Sequence, residues 1–119
     1  MSIISLVLIL LVALLHIYFL ILETFLWQTP YGLKTFNISA EFSAASKALA
    51  SNQGLYNGFM AAGLFWGLSQ GQTGENDVMF FLICIVIAGV FGAVTVNKKI
   101  LWIQALPSIL AIGSIVTKI

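Results

Sequence analysis

The stretch IISLVLILLVALLHIYFLILETFLW, residues 3 to 27, decides the fold class of this chain. It is apolar apart from Ser5, His16, Glu23 and a few amphipathic side chains. As an α-helix it is long enough to cross a hydrocarbon core about 30 Å thick. No Lys or Arg precedes it and no small-x-small cleavage site follows, so we expect the segment to be retained rather than removed as a signal peptide.

The composition of the whole chain agrees with that first segment. Of 119 residues, 61% are hydrophobic and 8% are charged, and the mean hydropathy is +1.07. An ordinary soluble domain has about 25% charged residues. We therefore interpret the chain as an integral membrane protein with a single domain over residues 1–119, whose main partner is the lipid bilayer. The net charge of +1 and the lack of a basic stripe exclude nucleic acid as a partner.

Turn-forming segments divide the remaining apolar sequence into three blocks. Pro30 and Gly32 end the first helix, and polar turns follow at SQGQTGEN, residues 69–76, and at NKK, residues 97–99. Pro107 is expected to kink the last helix. The sequence thus predicts an all-α, up-down bundle of four transmembrane helices. Their predicted bounds are about residues 3–27, 50–68, 78–96 and 100–116.

The lysines predict the orientation of this bundle. Lys34 and Lys47 fall in the first loop and Lys98 and Lys99 in the third, whereas only Lys118 falls on the other side. Because cytoplasmic loops carry the excess of positive charge, both termini should be extracytoplasmic in a bacterial plasma membrane.

The first loop, about residues 28 to 49, is too long for a simple turn. It contains SAEFSAASKALA, residues 39–50, in which Ser39 can cap a helix and Glu41 lies in the first turn, where a negative charge suits the helix dipole. We expect a helical cytoplasmic loop that can continue directly into the second span.

Polar side chains gather in the cytoplasmic half of the predicted bundle. At 1.5 Å per residue, His16 lies near the midplane and Glu23 about 10 Å nearer the cytoplasm, and their spacing of seven puts them on one face. The second span opens with NQGLYNGF, residues 52–59, whose polar side chains fan across about 140°. The residues predicted to line a cytoplasm-facing pocket are His16, Glu23, Asn52, Gln53, Tyr56, Asn57 and Gln104.

These polar residues have two interpretations. Amides often hydrogen-bond between helices and simply hold a bundle together, which is a strong alternative for Asn52, Gln53 and Gln104. Ionisable residues inside a span are rare and by default mark a pathway or pocket, which favours a functional role for His16 and Glu23.

Small residues predict close helix packing. Gly54, Gly58 and Ala62 form a small-xxx-small ladder on the second span. Gly89 with Ala93, and Ala88 with Gly92, repeat the pattern on the third span. We expect close contact of these two helices or of neighbouring subunits, and therefore a homo-oligomer.

Several chemistries find no support. One His and one Cys cannot form a closed zinc site, so no metal site is predicted. There is no P-loop, no dinucleotide fingerprint and no catalytic Ser or Cys beside a base, so the sequence identifies no cofactor.

Three stretches resemble a family of small bacterial integral membrane proteins of unknown function. They are HIYFLILETFLW, residues 16–27, SKALASNQGLYNGFMAAGLFWGL, residues 46–68, and GAVTVNKKILWIQALPSILAI, residues 92–112. The resemblance covers nearly the whole chain and carries over the seven predicted pocket residues, but it implies no particular reaction. The layout is also similar to that of the membrane-associated proteins of eicosanoid and glutathione metabolism. Those proteins hold their acidic thiol cofactor with several arginines, and this chain has none.

Three functional hypotheses remain open at this stage. The first is a protein that binds or moves a small polar ligand or ion through the pocket. The second is a membrane enzyme with His16 or Glu23 as general base and Tyr56 as a donor to developing negative charge. The third is a scaffold in which the polar residues only fix the helix register.

Overall fold

The computed structural model of the chain describes residues 1–119 and consists of helices joined by turns and short irregular segments, with no β-strand. The all-α fold class is therefore confirmed. The elements in chain order are α1 (Ile3–Thr24), α2 (Pro30–Phe36), α3 (Ala40–Ser69), a 3₁₀ turn (Gly71–Gly74), α4 (Glu75–Thr95), a π-helical turn (Leu101–Ala105) and α5 (Leu106–Thr117). They divide into two compact units, one formed by residues 1–14 and 60–119 and the other by residues 15–59.

Two helical stretches are long and apolar enough to cross a membrane. They are α1 and the segment Gly71–Thr95, which contains α4. The apolar segment Leu101–Thr117 is shorter, and α3 carries the amides of the NQGLYNGF stretch in its middle. The arrangement of four membrane spans therefore stays a prediction.

The larger unit, residues 1–14 and 60–119, is built around an apolar core to which all four long helices contribute. The buried core residues are Ile9, Val12, Ala13, Leu64, Val78, Leu82, Ile85, Ala111 and Ile115. Glycines bring the helix backbones together around this core. A Cβ added to Gly67 of α3 would lie 2.6 Å from Cγ2 of Val78 on α4, and one added to Gly89 of α4 would lie 2.8 Å from Cβ of Ala105.

The last predicted helix, residues 100–116, contains an irregular turn just before Pro107, and the kink at this proline stays a prediction. Residues Leu101–Ala105 form a π-helical turn, and Pro107 then occupies the first turn of α5. Proline has no N–H to donate, so the first turn of a helix is where it costs least. The irregular turn also carries Ala105, the residue that Gly89 contacts most closely.

The smaller unit, residues 15–59, contains the end of α1, all of α2 and the first part of α3. The sequence placed Pro30 and Gly32 in a loop, but they belong to α2. Proline at the first helical position has the φ that a helix needs, and the Oγ1 of Thr29 accepts a hydrogen bond from the N–H of Gly32 as an N-cap. The helix ends at Phe36 and is followed by Asn37, whose backbone is left-handed with φ of 53°.

The loop helix and the second predicted span are one continuous helix of 30 residues. It begins after Ser39, whose Oγ accepts a 3.0 Å hydrogen bond from the N–H of Phe42. Trp27 fastens this helix to the end of α1. Its indole N–H lies 3.1 Å from the carbonyl oxygen of Ser43, and Ser43 Oγ donates a 2.9 Å bond to the carbonyl oxygen of Trp27.

Candidate functional site

The carboxylate of Glu23 is held by two side-chain amides of α3. Glu23 lies in the last turn of α1 and is 5% exposed. Gln53 donates from Nε2 to Oε2 of Glu23 at 2.6 Å, and Asn57 donates from Nδ2 to Oε1. Gln53 and Asn57 are four residues apart, so their side chains project from the same face of α3. We call Glu23, Gln53 and Asn57 the carboxylate cluster.

Two glycines allow the two helices to approach closely enough for these bonds. A Cβ added to Gly54 would overlap Thr24 Oγ1 and would lie 3.1 Å from Cβ of Glu23 and 3.2 Å from the carbonyl oxygen of Leu20. A Cβ added to Gly58 would overlap Cδ1 of Leu20. The small residues beside the polar arc thus pack against α1 within the same chain, whereas Ala62, the third residue of the predicted ladder, is exposed.

The partners of Glu23 orient its carboxylate without neutralising it. An ionised carboxylate only accepts hydrogen bonds and has about four lone-pair positions, of which the two amides use one on each oxygen. Both amides are neutral, so they supply no positive charge to pair with the carboxylate. Thr24 Oγ1, next to Glu23, is buried without a hydrogen-bond partner. Gln53 is exposed, so the cluster extends from a buried carboxylate to the surface of its unit.

His16 is also buried in this unit. Its exposed fraction is 0%, and its ring meets the ring of Phe19 edge to face, with centroids 5.6 Å apart. The side chains of His16 and Glu23 are therefore both buried within the protein. Ionisable residues of membrane helices usually face the protein interior in this way.

The other predicted pocket residues have different surroundings. Asn52 is exposed, and Tyr56 is 54% exposed with its ring 6.0 Å from that of Phe59. Neither makes a hydrogen bond to Glu23. Gln104 belongs to the larger unit, where it is half-buried on the π-helical turn and its backbone carbonyl accepts a bond from Ser108 Oγ. The structure thus joins Glu23, Gln53 and Asn57; a pocket formed by all seven residues stays a prediction.

A second polar cluster, which the sequence analysis missed, lies in the larger unit. Ser5 of α1 and Ser114 of α5 are 1% and 7% exposed, and their hydroxyl oxygens are 2.8 Å apart. Serine in an apolar helix often bonds its own backbone, so the two positions carried no signal on their own. No group of three or more His, Cys, Asp or Glu side chains is placed to hold a metal ion.

Comparisons with known proteins identify relatives over nearly the whole length of the chain. A family model described as "Protein of unknown function (DUF1304)" matches residues 10–116. The chain is 35% identical over 116 residues to "Uncharacterized protein YpaA" of Lactococcus lactis subsp. lactis (strain IL1403), covering 96% of this chain and 98% of that protein. No solved structure matches the chain.

Proposed function

Because the chain belongs to the DUF1304 family, whose description assigns no activity, we propose a function from the carboxylate cluster itself. The chain is a multi-pass membrane protein that binds a small cation or a small polar ligand bearing a cationic group, and Glu23 is the residue that binds it. The buried carboxylate held by two neutral amides is the observation that carries this proposal.

The distribution of apolar and polar residues supports the membrane part of the proposal. Only 28% of the apolar window of α1 and 22% of that of Gly71–Thr95 are buried, whereas the core helix of a soluble protein is mostly buried. Large side chains such as Leu14, Ile87 and Phe91 are exposed, while Ser108 is fully buried. Exposing so much apolar surface to water would be costly, because each square ångström contributes about 25 cal/mol. In lipid the same surface is favourable.

The first helix is also part of the folded core. Ile9, Val12 and Ala13 of α1 are buried in the apolar core of the larger unit. This supports a retained membrane helix rather than a cleaved signal segment.

The charge of the cluster supports the ligand part of the proposal. A carboxylate within a membrane helix is costly, and such residues are usually paired or mark a binding site. Gln53 and Asn57 fix the orientation of Glu23 but supply no positive charge. A cation or an ammonium group can use the lone pairs that the amides leave free, and the exposure of Gln53 brings one end of the cluster to the surface of its unit.

The two other hypotheses have unequal support. The scaffold hypothesis is favoured by the fact that both oxygens of Glu23 already accept a hydrogen bond across two helices. The enzyme hypothesis places Tyr56 beside a general base, either His16 or Glu23. The Tyr56 side chain is exposed and packs near Phe59, and it makes no hydrogen bond to Glu23.

A binding experiment separates ligand binding from scaffolding. The purified protein is titrated in detergent with chlorides of sodium, potassium, ammonium and methylammonium, and thermal unfolding is followed at constant ionic strength. We expect one of these cations to raise the unfolding temperature, since a ligand at 100 times its Kd stabilises the folded state by about 2.7 kcal/mol.

The Glu23→Gln variant should fold but lose this response, whereas the Glu41→Gln control, which removes an exposed carboxylate from α3, should keep it. Equal responses of the wild type and Glu23→Gln to every cation would show that the cluster is a scaffold. The membrane placement has its own test: the protein should remain in the pellet when membranes are washed with alkaline carbonate.

A further inference from the structure

The hydroxyls of three serines form a hydrogen-bond chain with a fixed direction. Ser114 Oγ donates to the carbonyl oxygen of Ala111 at 2.8 Å, and a carbonyl can only accept. Ser5 Oγ, 2.8 Å from Ser114 Oγ, therefore donates to Ser114, and Ser2 Oγ donates to Ser5 Oγ at 3.1 Å. Every hydroxyl proton in the chain is used, so the three oxygens can offer only lone pairs to anything else. The three serine oxygens are therefore suited to bind a ligand that donates hydrogen bonds.

The three serines, Ser2, Ser5 and Ser114, line a polar groove with a volume of about 440 Å³. The groove is also lined by Gln72 of the 3₁₀ turn, Glu75 at the start of α4 and Lys118 after the end of α5. No ion pair joins Glu75 to Lys118, so the groove presents a negative and a positive side chain separately. A ligand that carries both charges would complement it.

An apolar groove adjoins the polar one. It has a volume of about 510 Å³ and is lined by Ile4 and Leu8 of α1 and by Ile109, Leu110 and Gly113 of α5. Ser114 lines both grooves and so marks the point where they meet. Both volumes are within the range of about 300–1,000 Å³ that is usual for small-molecule sites.

We propose that the two grooves together bind one phospholipid with an ethanolamine headgroup. An acyl chain lies in the apolar groove between α1 and α5. The phosphate accepts from Lys118, and the ammonium donates to Glu75 and to the free lone pairs of the serine chain. The proposal rests on the membrane placement given above but not on the carboxylate cluster. Since Ser2 and Lys118 lie near the two termini, the lipid belongs to the leaflet that the termini face.

The number of N–H donors in each lipid headgroup indicates which headgroup the site prefers. A primary ammonium has three N–H donors, which match one carboxylate and the acceptor-only serine oxygens. A choline group has the same charge but no N–H, so it would leave those acceptors unpaired. A glycerol headgroup has no positive charge to pair with Glu75. The site should therefore discriminate among phospholipids whose acyl chains are identical.

Native mass spectrometry of the purified protein tests this directly. The protein in detergent is mixed with equal amounts of phosphatidylethanolamine, phosphatidylcholine and phosphatidylglycerol that have the same acyl chains. We expect one phosphatidylethanolamine to remain bound per chain, with a preference over phosphatidylcholine of about tenfold, a ratio equivalent to about 1.4 kcal/mol. Equal retention of the three lipids would overturn the headgroup assignment. Equal competition by water-soluble glycerophosphoethanolamine would overturn the role of the apolar groove.

Two variants separate the two halves of the site. Glu75→Gln should reduce the preference for ethanolamine over choline to about onefold, whereas Gly113→Leu should lower the retention of all three lipids. Gly113 lines the groove and a Cβ added to it meets no atom within 4 Å, so a larger side chain has open space where it leaves the helix. Gly113→Ala serves as the milder variant if the leucine impairs folding.

Glu23→Gln is the control for independence from the carboxylate cluster and should retain phosphatidylethanolamine as the wild type does. Unchanged lipid retention in both Glu75→Gln and Gly113→Leu would contradict the proposed site, whatever the result of the cation titration.

Discussion

Oε2 of Glu23, in the last turn of α1, accepts a 2.6 Å hydrogen bond from Nε2 of Gln53 on α3. The contact joins two helices that α2 separates in the chain, and it lies where Gly54 lets the two backbones approach. When the carboxylate is ionised, hydrogen bonds to it contribute about 1.5–3 kcal/mol each, more than those between neutral groups. The contact is thus able both to hold the two helices together and to fix the carboxylate in one orientation.

Replacing Glu23 by Leu should destabilise the protein because the side-chain amides of Gln53 and Asn57 lose their acceptor. We expect a cost of about 1–3 kcal/mol, mainly from half-buried Asn57, since exposed Gln53 can find another partner. Glu23→Gln should cost less, because the new amide still accepts one of the two bonds. Unfolding in detergent, followed by circular dichroism, measures the difference.

The double variant Glu23→Leu with Asn57→Leu is the matched control for that loss. It removes donor and acceptor together, so it should be more stable than Glu23→Leu alone. If Glu23→Leu proved more stable than the wild type, the burial of the carboxylate would outweigh its hydrogen bonds, and the cluster could not be a device for stability.

Gly54→Ala should destabilise the contact between α1 and α3. The added methyl group would overlap Thr24 Oγ1 and crowd the carbonyl oxygen of Leu20, and overpacking of this kind typically costs about 1–3 kcal/mol. Gly113→Ala is the control, because its methyl group meets no atom within 4 Å and alanine favours a helix by about 0.5–1 kcal/mol over glycine. Thermal unfolding of the two variants should move in opposite directions.

The Gly54→Ala variant also tests the homo-oligomer, which stays a prediction. Since Gly54 faces α1 of its own chain, Gly54→Ala should change the unfolding temperature more than the mass of the detergent-solubilised particle. A particle that fell to monomer mass without any loss of stability would place this glycine between subunits instead.

Ser43→Ala should loosen the attachment of α3 to the end of α1. Ser43 is 1% exposed, and its hydroxyl donates to the carbonyl oxygen of Trp27 at 2.9 Å. Loss of this bond should cost about 1 kcal/mol and speed proteolysis in the segment between α1 and α3. Ser46→Ala is the matched comparison, because Ser46 also contacts the Trp27 indole but is more exposed, so its loss should cost less. Equal cleavage rates in wild type and Ser43→Ala would show that the bond does not hold this segment.

Cysteine labelling checks the predicted topology. In a Cys84→Ser background, single cysteines replace Lys34, Lys98 or Gln72, and intact cells are treated with a membrane-impermeant maleimide. With both termini extracytoplasmic, only the cysteine at position 72 should react before lysis, and all three should react after it. Reaction at positions 34 and 98 in intact cells would reverse the orientation.

Local patterns were sufficient to predict most of the helical content. Apolar runs of helical length indicated α1 and α4, and Ser39 correctly marked the start of the helix that becomes α3. The short helix α2 was not predicted, because Pro30 and Gly32 are typical of a loop. Thr29 and Pro30 instead make a capped helix start, in which the proline lacks only an N–H that would have had no partner.

The sequence by itself determined that the chain is helical and strongly apolar, and that a few ionisable and amide side chains interrupt its apolar stretches, among them His16 and Glu23 of α1 and Gln53 and Asn57 of α3. Tertiary structure decided which of those side chains meet. Glu23 bonds Gln53 and Asn57 because the glycines at positions 54 and 58 let α1 approach α3 closely. Ser5 bonds Ser114, which lies near the other end of the chain. Such contacts depend on the register and separation of two helices. Both are set by the packing of side chains from distant segments, which no local pattern contains.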